Sequence, residues 1–114
     1  MHSDGAKEDI SIPASTAVEV GELVEYSPDS IVSRTLTDKE TGSITAFAFD
    51  EGQSLSEHTT PYDAFVQVLD GSVLLTIGGE EVEVSEGEIA LMPADVPHGL
   101  QAPEQFKMML IMLR

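Results

Sequence analysis

Cysteine is absent from this 114-residue chain. Its absence excludes disulfide frameworks, thiolate nucleophiles and zinc sites built on cysteine. Long apolar runs are absent too, because no segment approaches the roughly 20 residues that a membrane-spanning helix needs. The first residues, MHSDGAKEDISIPAS, lack the basic start and apolar middle of a secretory signal. We therefore expect a cytoplasmic protein with no membrane partner.

Basic residues are scarce as well. Lys and Arg together number 5 against 21 Asp and Glu, which gives a formal net charge of −16 at pH 7. A surface of this sign repels phosphate backbones and anionic lipids, so nucleic acid is excluded as a partner. With 41% hydrophobic and 23% charged residues, the composition is that of a globular protein. The length suits one domain with a short tail.

The sequence does contain a succession of short β segments. Residues 1–16 are polar and small, and they predict a flexible N-terminal arm ahead of one domain over residues 17–114. Within that domain, apolar and polar residues alternate with the two-residue period of strands, and no long stripe has the helical period of about 3.6 residues. The predicted strand segments are 17–20, 23–26, 31–36, 43–50, 62–70, 72–77, 80–85, 89–92 and 106–113. Many short strands joined by Gly and Pro turns predict a sandwich, a jelly roll or a small barrel.

Three histidines are the main candidates for chemistry. His2 lies in the predicted arm, and His58 lies between two predicted strands. His98 follows a turn that is restrained by two prolines, Pro93 and Pro97. A histidine in such a place often only hydrogen-bonds a backbone carbonyl, so a structural role is an equal alternative for His98 and a stronger one for His58 taken alone.

The stretch around His58 resembles the first motif of the cupin superfamily. That motif reads Gly, five residues, His-x-His, three or four residues, Glu, six residues and Gly. Gly52 and His58 stand on register, and Gly71 closes the motif. Thr60 stands where the second His belongs, and Ala64 stands where the Glu belongs.

The stretch around His98 resembles the second cupin motif, which reads Gly, five residues, Pro-x-Gly, two residues, His, three residues and Asn. Gly87, Pro93 and His98 stand on register, whereas Asp95 replaces the Gly and Ala102 replaces the Asn. The two motifs are separated by the short spacer typical of small bacterial cupins. The resemblance implies an all-β fold: a single-domain, RmlC-like cupin jelly-roll barrel, also called a double-stranded β-helix.

The resemblance also implies a metal site. In metal-loaded cupins, three His and one Glu hold a divalent ion such as Fe, Mn, Ni or Zn inside the barrel, and here His58 and His98 are carried over as ligands. Thr60 is a poor donor because its hydroxyl stays protonated near neutral pH. Candidate substitutes for the missing donors are Asp63, Gln67 and Glu57. The first two have the strand parity opposite to that of Ala64, so a regular strand turns them away from the interior.

Three hypotheses for the function follow. The leading one is a cupin that binds a small molecule inside its barrel, oriented by polar groups at His58, Thr60, Gln67 and His98, with a divalent ion held by the two histidines. The first alternative is a metal-dependent enzyme of the dioxygenase, isomerase or lyase type. The second is a domain without a ligand that serves assembly or regulation. Two of the four motif ligands are replaced, which disfavours the enzyme.

The last predicted strand bears on assembly. Residues 106–113 (FKMMLIML) are apolar on both faces, whereas a jelly-roll strand in a monomer needs only one buried face. The second face must be covered by residues 17–26 of the same chain or by another subunit. Because two-fold dimers are the commonest closed assemblies, we expect a homodimer.

Overall fold

The computed structural model describes residues 7–9, as backbone, and residues 12–114. The described residues form ten strands and one single-turn 3-10 helix, Val20–Glu22. The strands are β1 (Lys7–Asp9), β2 (Ile31–Lys39), β3 (Gly42–Phe49), β4 (Ser54–His58), β5 (Asp63–Asp70), β6 (Ser72–Ile77), β7 (Glu80–Ser85), β8 (Ile89–Met92), β9 (His98–Gln101) and β10 (Phe106–Leu113). Among the described residues, no helix is long and apolar enough to cross a membrane.

The strands pair into two sheets that face each other. The larger sheet has the order β1-β2-β3-β10-β5-β8, and the smaller has the order β4-β9-β6-β7. Every pairing is antiparallel except that of β1 with β2. The C-terminal strand β10 therefore lies at the centre of the larger sheet, between β3 and β5. The predicted all-β jelly roll is confirmed.

The alternation in β3 explains how the larger sheet separates an inner from an outer face. Phe47 and Phe49 point inward, and Ala46 and Ala48 are fully buried on the outer face. This is the division that a two-residue period predicts. At one end of the interior, Phe49 stacks on Phe106 with ring centroids 4.5 Å apart, and the surrounding apolar side chains are fully buried. These include Val66, Val68, Val73, Leu75 and Val84.

The segment before β2 differs from the prediction. Strands were expected at residues 17–20 and 23–26, but the structure has only the 3-10 turn there. The segment lies across the outer face of the larger sheet instead of along a strand edge, so its backbone has no ladder partner. Val24 is fully buried, and Leu23 and Tyr26 pack with it against a cluster that includes Met109 of β10. Lys107 anchors the crossing by donating a hydrogen bond to the Gly21 carbonyl at 2.7 Å.

Three strands were not predicted, namely β1, β4 and β9, and the last two each carry a candidate site residue. His58 is the last residue of β4, and His98 is the first residue of β9. Neither segment shows a clean alternation, because β4 is mostly exposed and β9 is mostly buried. His2 lies outside the described residues. The predicted flexible arm over residues 1–16 stays a prediction; within it, β1 pairs with β2.

Candidate functional site

A cavity of about 290 Å³ opens at the end of the barrel opposite the stacked phenylalanines. Its walls come from both sheets, and apolar side chains form most of them. The lining residues are Phe47, Leu55, His58, Thr60, Ala64, Met92, His98, Leu100, Met108, Leu110 and Met112. The only polar side chains in this set are one hydroxyl and two imidazoles, so a ligand in the cavity meets few hydrogen-bonding groups.

The two histidines predicted from the motifs meet in this cavity. His58 and His98 are direct cross-strand partners in the β4–β9 ladder. Their ring centroids lie 4.5 Å apart, and the rings are inclined by 68° in an edge-on arrangement. A β-bulge between Leu55 and His58 shifts the register of β4 so that this pairing occurs. The two imidazoles therefore meet across this ladder, and their role as metal ligands stays a prediction.

Backbone carbonyls fix the tautomer of both rings. The Nδ1 atom of His58 lies 3.0 Å from the Ser56 carbonyl oxygen, and that of His98 lies 3.1 Å from the Val96 carbonyl oxygen. A carbonyl oxygen only accepts, so each Nδ1 carries the proton and donates it. In the neutral form of each ring the Nε2 atom then bears a lone pair, and the hydrogen bonds of the described residues leave both Nε2 atoms without a protein partner. Both rings therefore offer an acceptor, or a metal donor, to whatever enters the cavity.

The two rings differ in their exposure to water. His98 is 2% exposed, whereas His58 lies at the open mouth of the cavity. Burial lowers the pKa of His98 below its ordinary value, and charge on His58 lowers it further, although the hydrogen bond to the Val96 carbonyl opposes the shift. His98 is therefore neutral at pH 7 and presents an accepting Nε2 atom.

The loop between β8 and β9 positions His98. Asp95 adopts a left-handed backbone conformation with φ of 65°, which Asp tolerates better than most residues and which suits the position where the cupin motif has Gly. The Asp95 N–H donates to the Thr60 carbonyl at 2.8 Å. The Asp63 carboxylate accepts the Ala94 N–H at 2.9 Å. The loop is thereby tied to Thr60 and Asp63, which follow the strand that ends at His58.

Of the other predicted site residues, Thr60 lines the cavity, and the predicted substitute donors lie outside it. The Thr60 hydroxyl oxygen accepts the Tyr62 N–H at 3.3 Å. Asp63, Gln67 and Glu57 are exposed, and none of them lines the cavity. Gln67 faces outward because its neighbours Val66 and Val68 occupy the inward positions of β5. The parity argument indicated this for Asp63 and Gln67, and Glu57 does not line the cavity with the histidines either.

The donors that are present do not fit the divalent ion of the family pattern. Within the described residues, no group of three or more His, Cys, Asp and Glu is placed to hold a metal. Ala64, which stands where the Glu belongs, is 1% exposed and offers only a methyl group. A dication here would have two neutral imidazoles and no carboxylate to offset its charge.

Sequence reasoning missed the sulfur-containing and aromatic part of the lining. Met92, Met108 and Met112 occupy inward positions of β8 and β10, and Phe47 and Leu110 lie beside them. The signal that assigns them to the interior is strand parity: residues paired with the inward-facing Ala64, and every second residue from these, point to the same face. That pairing depends on which strands are neighbours, and the sequence does not display it.

A sequence model of the family described as the cupin domain matches residues 46–114. The chain belongs to the cupin family. It is similar to a conserved protein of unknown function from Streptococcus pyogenes, at 36% identity and a TM-score of 0.87, with 90% of each chain covered. It is also similar to a cupin 2 conserved barrel domain protein from Leptotrichia buccalis, at 40% identity and a TM-score of 0.81, covering 82% of this chain and 46% of that one.

A cupin superfamily protein from Desulfitobacterium hafniense shares the fold, at 24% identity and a TM-score of 0.84, with 90% of this chain and 94% of that chain covered. None of the curated proteins matches the chain. Membership of the cupin family supports a fold that binds small molecules or metals, but the names of these relatives specify no ligand. The side chains of the cavity must therefore supply the argument for function.

Proposed function

We propose that this cupin binds a small, largely apolar organic molecule in the cavity of His58 and His98, and that the molecule donates a hydrogen bond to an imidazole. One observation carries the proposal: an apolar cavity of about 290 Å³ contains two imidazoles whose Nδ1 atoms are already engaged. This volume is close to the lower limit of about 300 Å³ for ligand pockets. The accepting Nε2 atoms favour a hydroxyl or N–H group on the ligand.

The enzyme alternative has less support. Metal-dependent catalysis needs an ion held in a fixed geometry, and an ion with too few protein ligands is easily lost. The described residues bring only two of the family's nitrogen and oxygen donors into the cavity, His58 and His98. We therefore propose a binding protein and no divalent-metal chemistry.

Two aromatic probes of similar shape test this function. We expect 2-naphthol, which has a hydroxyl group, to bind roughly 2- to 10-fold more tightly than naphthalene, because one net hydrogen bond contributes about 0.5–1.5 kcal/mol. Fluorescence titration at pH 7.5 measures both dissociation constants. His98→Leu should remove most of the difference between the two probes.

The controls localise the binding. Ala64→Leu places a larger side chain in the cavity and should weaken the binding of both probes. Gln67→Ala changes the outer face of the same strand and should leave both unchanged. Equal binding of 2-naphthol to the wild type and to Ala64→Leu would contradict the proposal, because the cavity would then not be the site.

We also propose that two copies associate through the outer face of the larger sheet. Leu91, Phe65 and Ile111 are register neighbours across β8, β5 and β10. Leu91 is 45% exposed and Ile89 is 58% exposed, so the row ends in an uncovered apolar edge. The N-terminal segment covers the other half of this face, near Met109. A second copy fits the uncovered half because a two-fold axis pairs a surface with itself.

Sedimentation velocity tests the association. The charge of −16 per chain opposes it, so the dimer should tighten as salt screens the repulsion. Leu91→Arg should give monomers. Val82→Arg, at a position 39% exposed on the smaller sheet, should leave the dimer intact. A monomer at both low and high salt at micromolar concentration would contradict the proposal.

A further inference from the structure

The cavity holds an unusual share of the chain's sulfur. Three of the five methionines line it, namely Met92, Met108 and Met112. Met92 and Met108 are 2% and 1% exposed, so their thioethers lie in the apolar interior. A thioether is a neutral, soft and polarizable donor, and it binds soft metal ions far better than hard ones.

Two of these methionines flank the alanine that replaces the motif Glu. In the register of the larger sheet, Ala64 of β5 pairs with Met92 on one side and with Met112 on the other. All three line the same cavity. The Ala64 methyl group is short, so the two longer side chains on either side are the ones that extend from this row into the cavity.

The β8–β9 loop links Met92 to the histidines. Met92 ends β8 and His98 begins β9, so only residues 93–97 separate them. The Asp63 carboxylate and the Thr60 carbonyl both accept hydrogen bonds from this loop. The thioether at one end of the loop and the imidazole at the other therefore belong to the same end of the barrel.

The spacing of the rings determines how they can share an ion. With metal–nitrogen distances of about 2.0 Å, a linear bis-imidazole complex would separate the ring centroids by about 6 Å. The observed separation of His58 and His98 is 4.5 Å. This shorter distance favours a bent arrangement of the two nitrogens about the ion. A bent pair leaves the remaining coordination positions directed away from both rings, toward the opposite wall.

We propose that His58, His98, Met92 and Met112 form a site for cuprous ion, Cu(I). Two imidazoles and two thioethers are all neutral donors, and thioethers select Cu(I) among the first-row metals. A single positive charge is also easier to bury without a carboxylate than the double charge of Zn²⁺ or Fe²⁺. Thr60 and Ala64 replace the family's third nitrogen donor and its oxygen donor. The imidazoles and thioethers that remain form a donor set that suits a softer ion. The site shares the cavity of the proposed organic ligand but does not depend on that ligand.

Competition with the chromophoric chelator bicinchoninate, under anaerobic conditions with ascorbate, measures the affinity of the full chain for Cu(I). We expect His58→Ala to weaken binding at least about 100-fold, and Met92→Leu and Met112→Leu about 10-fold each. Met109→Leu is the matched control, because Met109 is adjacent to Met108 on β10 but packs on the outer face. His2→Ala tests the histidine outside the described residues. Both controls should bind Cu(I) as the wild type does.

X-ray absorption at the copper edge reads the ligands directly. The wild type should show sulfur scattering from the first coordination shell of copper, and the Met92→Leu/Met112→Leu double variant should lose it. Unchanged affinity in both single methionine variants, or a copper spectrum without sulfur, would overturn the proposal. Wild-type binding no tighter than that of His58→Ala would overturn it too. If Met92→Leu does not fold, the half-buried Met112→Leu carries the same comparison.

The outcome is independent of the proposed function. Titration of metal-free protein with 2-naphthol tests the organic ligand, and titration with Cu(I) tests the metal site. If the protein does not bind 2-naphthol but binds Cu(I) in a way that depends on the methionines, only the proposed function is refuted. The reverse result would refute the Cu(I) site alone.

Discussion

The two ends of the barrel interior are built by the same two sheets but are filled differently. At one end, Phe49 and Phe106 stack with centroids 4.5 Å apart and both side chains are fully buried. At the other end, Ala64 occupies an inward position of β5, and a cavity of about 290 Å³ remains between it and the histidines. The first end is packed as a protein core, and the second is left open.

The difference lies in side-chain size and polarity, since the pairing of β10 with β3 is equally regular at both ends. Along β10, the pairing with β3 runs without a break from Phe106 opposite Phe49 to Leu113 opposite Gly42. The inward positions change along the way, from an aromatic ring at Phe106 to the flexible Met112 at the mouth of the cavity. We therefore expect the packed end to carry most of the stability, and the open end to carry binding with little loss of stability.

The largest expected effect comes from breaking the packed end. Phe106→Ala removes a fully buried ring and its stacking contact with Phe49, so the free energy of unfolding should fall by about 3–5 kcal/mol. Phe47→Ala, at a half-buried position that lines the cavity, should cost only about 1–2 kcal/mol. Urea denaturation followed by far-UV circular dichroism measures both. Equal losses at the two positions would contradict the contrast between the ends.

The turn at the packed end gives the next largest effect. Gly71 closes the β5–β6 hairpin with φ of 73°, and a Cβ atom built there would lie 2.1 Å from the Gln105 carbonyl oxygen. Gly71→Ala should therefore lower the free energy of unfolding by about 2–3 kcal/mol. Gly52→Ala is the matched control, since Gly52 has φ of 88° with no neighbouring atom within 4 Å. That change should cost about 1 kcal/mol, through backbone strain alone.

Residue patterns predicted the packed end of the fold better than the open end. The Asp70–Gly71 turn and the alternation of β3 gave the hairpin and the two faces of the sheet directly. The alternating residues 17–26 misled, because no strand forms there: residues 17–20 are exposed, and Val24 packs on the sheet face without pairing as a strand. Strands β4 and β9 were missed because each is short and nearly uniform in burial, so neither has a two-residue period to detect.

The candidate site was only half predictable, for a related reason. The motif spacing identified His58 and His98 before any coordinates, and the parity argument kept Asp63 and Gln67 out of the interior. The methionines were seen only as apolar strand residues. Their common cavity depends on β10 lying between β3 and β5, a long-range pairing that no local pattern encodes.

Filling the open end should separate stability from binding. Ala64→Val adds two methyl groups beside an existing cavity, so the free energy of unfolding should change by less than about 1 kcal/mol. The affinity for 2-naphthol should nevertheless fall, because the added volume faces the ligand. Thermal unfolding and fluorescence titration of the same sample measure the two quantities. A stability loss comparable to that of Phe106→Ala would mean that this end is as tightly packed as the other.

The smallest expected effect is a pH dependence confined to the open end. Burial lowers the pKa of His98 in the folded state below its unfolded value of about 6.5. The unfolded state therefore binds the proton more readily, so this contribution to stability is complete above about pH 6.5 and declines as the pH falls below it. The free energy of unfolding of the wild type should decrease between pH 7.5 and 5.5 more than that of His98→Leu. His58→Ala should reduce the decrease, because charge on His58 adds to the shift. Denaturation at four pH values in this range, above the region where most carboxylates titrate, measures the difference; identical slopes for the wild type and His98→Leu would show that the buried ring titrates normally.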